Sequence, residues 1–420
     1  MKTWQMKNIF EVYDGLFDGP HATPRPCDEG PIFLGIENLT ESGLLDLSQT
    51  KKISHEEFPR WTRRVLPKAK DIVFSYEATL NRYAIIPRGF RGCLGRRLAL
   101  IRPNENKVSH KFLLYYFLSS AWRAEVNNYL ISGSTVDRIP LLKFPKFKIY
   151  VPPVTTQRKI AAILSAYDEL IENNKRRIAL LETMAEEIYR EWFVRLRFPG
   201  HEKVKVVKGV PEGWEVRPFS EIVNINPSEW VDRSEEIPFV GMEDLSVSSM
   251  YFTPKESRKG GSGSKFRNHD VLFPRITPSV ENGKRGFVMT LADGQVGFGS
   301  TEFIVMRKRI IGPEHIYFLT CSSDFRKHAE LSMTGASGRQ RVQEECFSFF
   351  LVKTPPSEIR QKFSEIVRPH FSQIHLLSCQ TDLLMRSRDL LLPRLISGKL
   401  SVENFDIQFP PSMGEETGDS

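Results

Sequence analysis

Cysteine is scarce in this sequence. Its 420 residues include five (Cys27, Cys93, Cys321, Cys346 and Cys379), scattered, odd in number and without a CxxC pair. Such usage excludes a disulfide framework and a cysteine-bound zinc site, and it fits a reducing compartment. Long apolar runs are missing as well, since none approaches the roughly 18–20 residues of a membrane span. Met1 opens a mixed polar and apolar segment with Glu11 and Asp14, not a secretory leader. A cytoplasmic chain with no membrane contact is the expectation.

Signatures of chemistry are absent too. There is no GxxxxGK[ST] loop, and GGSGSK at residues 260–265 lacks the strand-to-helix setting of a phosphate loop, so it reads as a flexible loop. Nine histidines form no HExxH or other ligand spacing, and no metal site is expected. Val151 and Val154 flank Pro152-Pro153, and Thr354 and Ser357 flank Pro355-Pro356. Neither pair has the Asn/Asp-Pro-Pro-aromatic form that adenine methyltransferases use. DGLFDGPH (14–21) reads as a polar turn after a strand. DIVFSYEA (71–78) holds Asp71 and Glu77, but its counterpart DVLFPRIT (270–277) has no second acid. That favours a structural role for Asp71 and Asp270. No catalytic residue and no cofactor is expected in this chain.

One sign of charge is missing locally. Between Arg82 and Arg102 there are six arginines and no acid, in a chain of net charge +8. Such a balance suits nucleic acid. Repetition is more informative. FLGIENL (33–39) matches FVGMEDL (239–245), KDIVFS (70–75) matches HDVLFP (269–274), and Pro152-Pro153 matches Pro355-Pro356. All three recur in the same order, about 200 residues apart. The chain is a duplication. Short β-rich runs between Gly, Pro, Asn and Asp turns make residues 1–150 and 201–350 two α+β modules of similar build. Each also contains a helical candidate, HKFLLYYFLSSAWRAEVNNYL and PEHIYFLTCSSDFRKHAEL.

One long helix follows each module, within residues 151–200 and 351–405. In the first, Ile160, Leu164, Tyr167, Ile171, Asn174, Ile178, Leu181, Ala185, Ile188 and Trp192 fall alternately four and three apart, the seam of a coiled coil. From Ile160 to Phe193 such a helix is roughly 50 Å long. The equivalent positions in the second are Phe363, Val367, His370, Ile374, Leu377, Thr381, Leu384, Arg388, Leu391 and Leu395. A stripe of this length must be buried, and its own repeat is the simplest partner. Asn174, equivalent to Leu377, is a polar seam residue expected to fix register, to leave a site for another chain, or to sit at a wet gap in the seam. Pro153 and Pro356 end the preceding extended segments. Pro369 is expected to kink the second helix or delay its start, and Pro393 with Gly398 to end it. Residues 406–420 are polar and Pro-containing, with disorder expected.

Two diverged basic modules tied by long helices suggest a ruler that reads two separated places. Nucleic acid suits this, because half-sites repeat at about 34–36 Å per helical turn. Arg88, Arg91, Arg96 and Arg97 in the first module are loop candidates for phosphate and base contact. Arg258, Lys259, Lys265, Arg267, Lys284 and Arg285 are their counterparts in the second. SGSTVDRI (132–139) and TGASGRQRV (334–342) add Ser134, Thr135, Arg138, Arg339 and Arg341, because turn amides and hydroxyls suit phosphate.

VPEGWEV (210–216), the DIVFS and DVLFP strands, the SGST and TGAS turns, the Pro-Pro helix starts with Gln157 or Arg360, and LLLPRLISGKL (390–400) together carry a family resemblance. In this set and this order the chain resembles the specificity subunit of a type I DNA restriction–modification enzyme, over nearly its whole length except the tail. The resemblance implies two target-recognition domains, each reading half of a split, asymmetric double-stranded DNA target. It implies two spacer helices packed as an antiparallel coiled coil, which set the half-site separation and bind two methylation subunits. Those partners would supply S-adenosylmethionine, while restriction subunits would supply ATP- and Mg-dependent translocation and cleavage. This chain would then be a non-catalytic reader. The other reading is a coiled-coil scaffold joining two protein-binding modules without DNA; a third is a stand-alone nuclease.

Overall fold

KDIVFS and HDVLFP become the central strands of two sheets built alike. The structure, a computed structural model, describes residues 4–25, 27–132, 136–232, 234–336 and 338–414. It divides into two units, residues 1–171 with 383–420 and residues 172–382. In the first, Ile72–Ser75 runs antiparallel between Leu98–Pro103 and Tyr83–Ile85, and Tyr13–Asp18 lies outside Leu98–Pro103. In the second, Val271–Pro274 sits between Phe303–Lys308 and Gly286–Phe287, with Val223–Ile225 outermost.

Both central strands are buried on both faces, and alternation decides which core each side chain joins. Ile72 and Phe74 enter a large core with Phe112, Phe117 and Trp122, whereas Val73 enters a smaller one with Leu34 and Leu94. Val271 and Phe273 likewise meet Phe325 and Phe347, and Leu272 meets Val240 and Phe252. A second sheet covers each smaller core. In it Cys27–Leu34 runs parallel to Gly92–Leu94, and Glu236–Val240 runs parallel to Gly297–Gly299. FLGIENL and FVGMEDL leave these strands by the same turn. Gly35 donates its N–H to Asn38 Oδ1 at 2.9 Å, and Gly241 donates to Asp244 Oδ2 at 2.8 Å.

Two expected loops are partly strand. Tyr13–Asp18 takes most of DGLFDGPH, because Leu16 and Phe17 pair with Ile101 and Leu100. Ser264–Phe266 takes the end of GGSGSK, pairing with Gly297–Gly299. The helical candidates are each broken once. HKFLLYYFLSSAWRAEVNNYL gives α1 (His110–Leu118) and α2 (Ser120–Tyr129), because Ser119 caps α2 by accepting the Trp122 N–H.

The first long helix, α3 (Val154–Tyr189), begins directly after Pro153 and passes into a π turn at Arg190–Val194. In the second unit α4 (Pro313–Cys321) and α5 (Ser323–Leu331) repeat the break, with Ser322 accepting the Phe325 N–H. The second long helix, α6 (Ser357–Ile396), runs through Pro369 and Pro393. Pro369 neither delays its start nor ends it. A proline removes one helical donor, and here Phe363, Val367, Phe371 and Ile374 around it are all buried in the unit's core.

The heptad positions are distributed over both units. In the first unit Ile160 and Leu164 share a core with Leu395 and Ile396, and Leu391 packs against it. In the second, Ala185, Tyr189 and Trp192 share a core with Phe363, Val367 and Ile374, and Ile178, Leu181 and Ile188 pack against it. Ile171, Asn174 and Leu377 are buried, while Tyr167 and Leu384 are half-buried. The expected disordered tail is a correction. As far as residue 414 it belongs to the first unit: Met413 is buried, Ile407 packs against the core, and Lys111 donates to the Ser412 carbonyl and hydroxyl. Residues 415–420 lie outside the described residues.

Four residues after each Pro-Pro pair stands a clamp. Gln157 is fully buried; its Oε1 accepts the Ser109 N–H at 2.8 Å, and its Nε2 donates to the carbonyls of Pro152 and Lys107 at 2.8 and 3.2 Å. Arg360 does the same work with different chemistry, donating to the carbonyls of Pro355 and Ile310. Each ties the start of a long helix to the loop leading into α1 or α4. Gln157→Ala strands the Ser109 donor and two carbonyls, so a loss of about 2–4 kcal/mol is expected, read as a lower urea midpoint.

Candidate nucleic-acid interface

A buried carboxylate stands at the head of each central strand. Asp71 accepts the Lys68 N–H at 2.8 Å and two guanidinium N–H groups of Arg102 at 2.8 and 2.7 Å. Asp270 accepts the Arg267 N–H at 2.7 Å and the same two groups of Arg307, again at 2.8 and 2.7 Å. The preceding residues, Lys70 and His269, have φ of 74° and 73°, a left-handed conformation held by this turn. Both aspartates are 1% exposed, which makes them anchors of the sheet.

The first unit divides its basic candidates between two ends of a sheet. Ile72 pairs with Ile85, so Arg88 and Arg91 leave at the Ile72 end of the central strand. There they line an open cleft with Lys52 and His55. Arg91 Nη2 is 3.3 Å from His55 Nδ1, and its guanidinium lies 5.9 Å from the centre of the Phe58 ring. Ser75 pairs with Leu98, so Arg96 and Arg97 enter at the other end. Arg97 is 3.3 Å from the Glu77 carboxylate, and Arg138 bridges to the Glu77 backbone. The acid-free arginine run is therefore not one patch. Arg82 pairs with Glu41 and Arg102 with Asp71, both distant in sequence. Ser134 and Thr135 lie outside the described residues.

In the second unit most candidates are already engaged. Arg267 donates twice to Glu229, at 2.7 and 2.9 Å, and Arg307 shares that carboxylate. Lys284 donates to the Met242 carbonyl at 2.9 Å. Arg285 is half-buried: its Nε is inaccessible, its Nη1 donates to the Gly283 carbonyl at 2.8 Å, and its guanidinium lies 5.6 Å from the Tyr317 ring centre. Arg258 pairs with Glu256 and lies 3.7 Å from the centre of the Phe239 ring. Arg341 holds Glu302 at 2.6 to 3.0 Å. Lys259 and Arg339 are exposed, Lys265 is half-exposed, and among the described residues none of the three has an ion pair.

Two features of these surfaces had no signal in the sequence. Lys52 and His55 reach the Arg88 cleft only because their segment follows the strand pairing at Ile32 and Phe33. His21 stands 3.4 Å from the Tyr76 hydroxyl through a fold contact across 55 residues. Among the described residues no three His, Cys, Asp or Glu side chains are grouped to hold a metal ion, and no helix is long and apolar enough to cross a membrane.

Comparison with known proteins bears on this arrangement. Residues 33–183 match the family model described as the type I restriction modification DNA specificity domain. The type I restriction enzyme MjaIX specificity subunit of Methanocaldococcus jannaschii is 26% identical over 413 residues, 94% of this chain and 89% of that protein. The EcoEI specificity subunit of Escherichia coli is 34% identical over 155 residues, 35% of this chain and 26% of that one. In fold, the chain is similar to the crystal structure of the type I restriction–modification S subunit from M. genitalium. The TM-score is 0.57 at 15% identity, over 93% of this chain and 96% of that one.

The shared Glu229 carboxylate predicts a pH dependence. Hydrogen bonds from Arg267, with a further contribution from Arg307, pull it from the ordinary 4.5 to about 2 against the opposing effect of burial. A depressed acid stabilises the fold above its unfolded value and loses that contribution as pH falls through the native one. Wild type is therefore expected to melt above Glu229→Gln at neutral pH, with the gap closing between about pH 4.5 and pH 2 in a series of thermal melts.

Proposed function

From the similarity of this chain to type I restriction enzyme specificity subunits, we propose that it reads the two halves of a split double-stranded DNA target, one with each unit. The observation that carries the reading is a scaffold repeated down to its buried Asp–Arg pair, bearing different exposed cations on each copy. Equal scaffolds hold equivalent surfaces. Unequal side chains on them, Arg88, Arg91, Arg96 and Arg138 against Lys259, Lys265 and Arg339, suit two different half-sites and so an asymmetric target.

Residues 1–150 and 201–350 are the reading heads in this proposal, and residues 151–200 and 351–405 are the spacer. Cations without acid partners take phosphates, which give affinity, with Ser134 and Thr135 assisting. Arg97, Arg258 and Arg341, each held by a carboxylate, are oriented for base edges. The helices act as an antiparallel coiled coil. Support comes from the early turns of α3 sharing a core with the last turns of α6, and the later turns of α3 sharing one with the first half of α6. At 36 residues α3 is about 54 Å long, more than one DNA turn. Two methylation subunits, with S-adenosylmethionine, and restriction subunits, with ATP and Mg, carry out the chemistry in the cytoplasm around this non-catalytic chain.

Mapping methylated adenines in cells that express the chain with its methylation partner tests the reading. A split motif with a constant gap is expected; methylation without one would overturn it. With the same partner, binding to target duplex should weaken with salt, log K falling by about 0.9 per neutralised phosphate for each tenfold increase. The pair Arg88→Glu and Arg96→Glu should abolish target methylation, whereas a protein scaffold that never touches DNA would be indifferent to it. Exchanging residues 1–150 for the equivalent module of a similar specificity subunit should change one half of the motif and leave the other intact.

A further inference from the structure

The second unit contains a polar strap with no counterpart among the described residues of the first. Residues 246–253 leave the FVGMEDL turn and lead to Glu256–Lys259, the strand that carries Arg258 and Lys259. Side chains from both long helices hold this segment. From α3, Glu182 Oε1 accepts the Met250 N–H at 2.9 Å and the Ser249 hydroxyl at 3.4 Å. From α6, Asp382 accepts the Thr253 hydroxyl at 2.9 Å, and Cys379 Sγ lies 3.7 Å from the Tyr251 hydroxyl. The strap is also fastened to its own head. Met250 accepts the Phe287 N–H at 3.0 Å, and Phe252 is buried in the smaller core.

The first unit treats the corresponding stretch differently. After FLGIENL, Thr40 bonds Ser42 and Leu44 within the loop, and Glu41 pairs back to Arg82 of its own head. The nearby helix carboxylate, Asp168, is taken by the Tyr115 hydroxyl at 2.6 Å and by Arg388 at 2.7 Å. An open cleft lined by Glu41, Ser42, Asp168 and Arg388 separates the two sets. Glu182 also stands in a costly place. It is half-buried, and that burial pushes its carboxyl above the ordinary value.

We propose that Glu182, Thr253 and Asp382 are positioning residues, which fix the second reading head to the spacer helices and so set how strictly the gap between half-sites is measured. The inference rests on the bipartite reading above. Contacts made by the head then reach the spacer through hydrogen bonds at the base of the basic strand as well as through the Arg360 clamp. Without them the same two half-sites would still be recognised, but the distance between them would be less closely policed.

The test uses the full chain with its methylation partner and duplexes carrying both half-sites at the wild-type gap, or one base pair shorter or longer. In Glu182→Gln and in Thr253→Val, methylation of the off-gap duplexes relative to the wild-type gap is expected to rise roughly tenfold, the scale of one charge-assisted hydrogen bond. The half-site sequences should stay unchanged. Thr253→Val alters a half-buried side chain and loses the Asp382 contact, so it keeps the test open if Glu182→Gln folds poorly. A purely structural role would lower all three rates together, leave the ratio constant and overturn the proposal. If wild type itself shows no fixed gap, the bipartite reading fails first; a fixed gap in wild type with an unchanged ratio in both variants defeats this inference alone.

Discussion

A carboxylate removed from water has to be matched, and the match made by Asp71 and Asp270 organises each half of this protein. Two guanidinium N–H groups and one backbone N–H satisfy each acid, which is what makes a charge tolerable at 1% exposure. The pair joins the start of the central strand to the neighbouring strand. Through the left-handed residue before it, Lys70 or His269, it also fixes where the incoming turn lies. The position of the next sheet and of the loops that present Arg88, Arg96, Lys259 and Lys265 follows from that corner.

The same principle sorts the basic residues. A guanidinium satisfied by a neighbouring acid is scaffold or is aimed, and one without such a partner is surface charge. Arg102, Arg267 and Arg307 are each held by acids, although only the surroundings reveal it. Arg267 would look available for phosphate in any linear reading, yet Glu229 holds it with two hydrogen bonds. What remains exposed differs between the copies, while the corners beneath are superimposable in chemistry.

Much of the helical part was legible in the sequence. Heptad spacing is a local property of one strip of side chains, and Ile160, Leu164, Ala185, Trp192, Phe363, Val367, Ile374 and Leu395 are all buried. Pro369 misled because its cost is local but its compensation is not: the core residues that carry α6 past it come from elements up to two hundred residues away. The tail misled for the same reason. A polar, Pro-containing segment looks unable to pack on its own, and it packs here because Lys111 meets the Ser412 carbonyl and hydroxyl and the core takes Met413.

The sequence by itself determined the duplication, the alternation of strand side chains and the helix stripes, because each is carried by residues adjacent or periodic along the chain. Only the tertiary structure decided which arginines are occupied, that the acid-free run from Arg82 to Arg102 separates to two ends of a sheet, and that Glu182 and Asp382 hold residues 249–253 of the second unit. Those outcomes depend on partners brought together across tens to hundreds of residues. A charge does not announce, along the chain, the neighbour that will neutralise it.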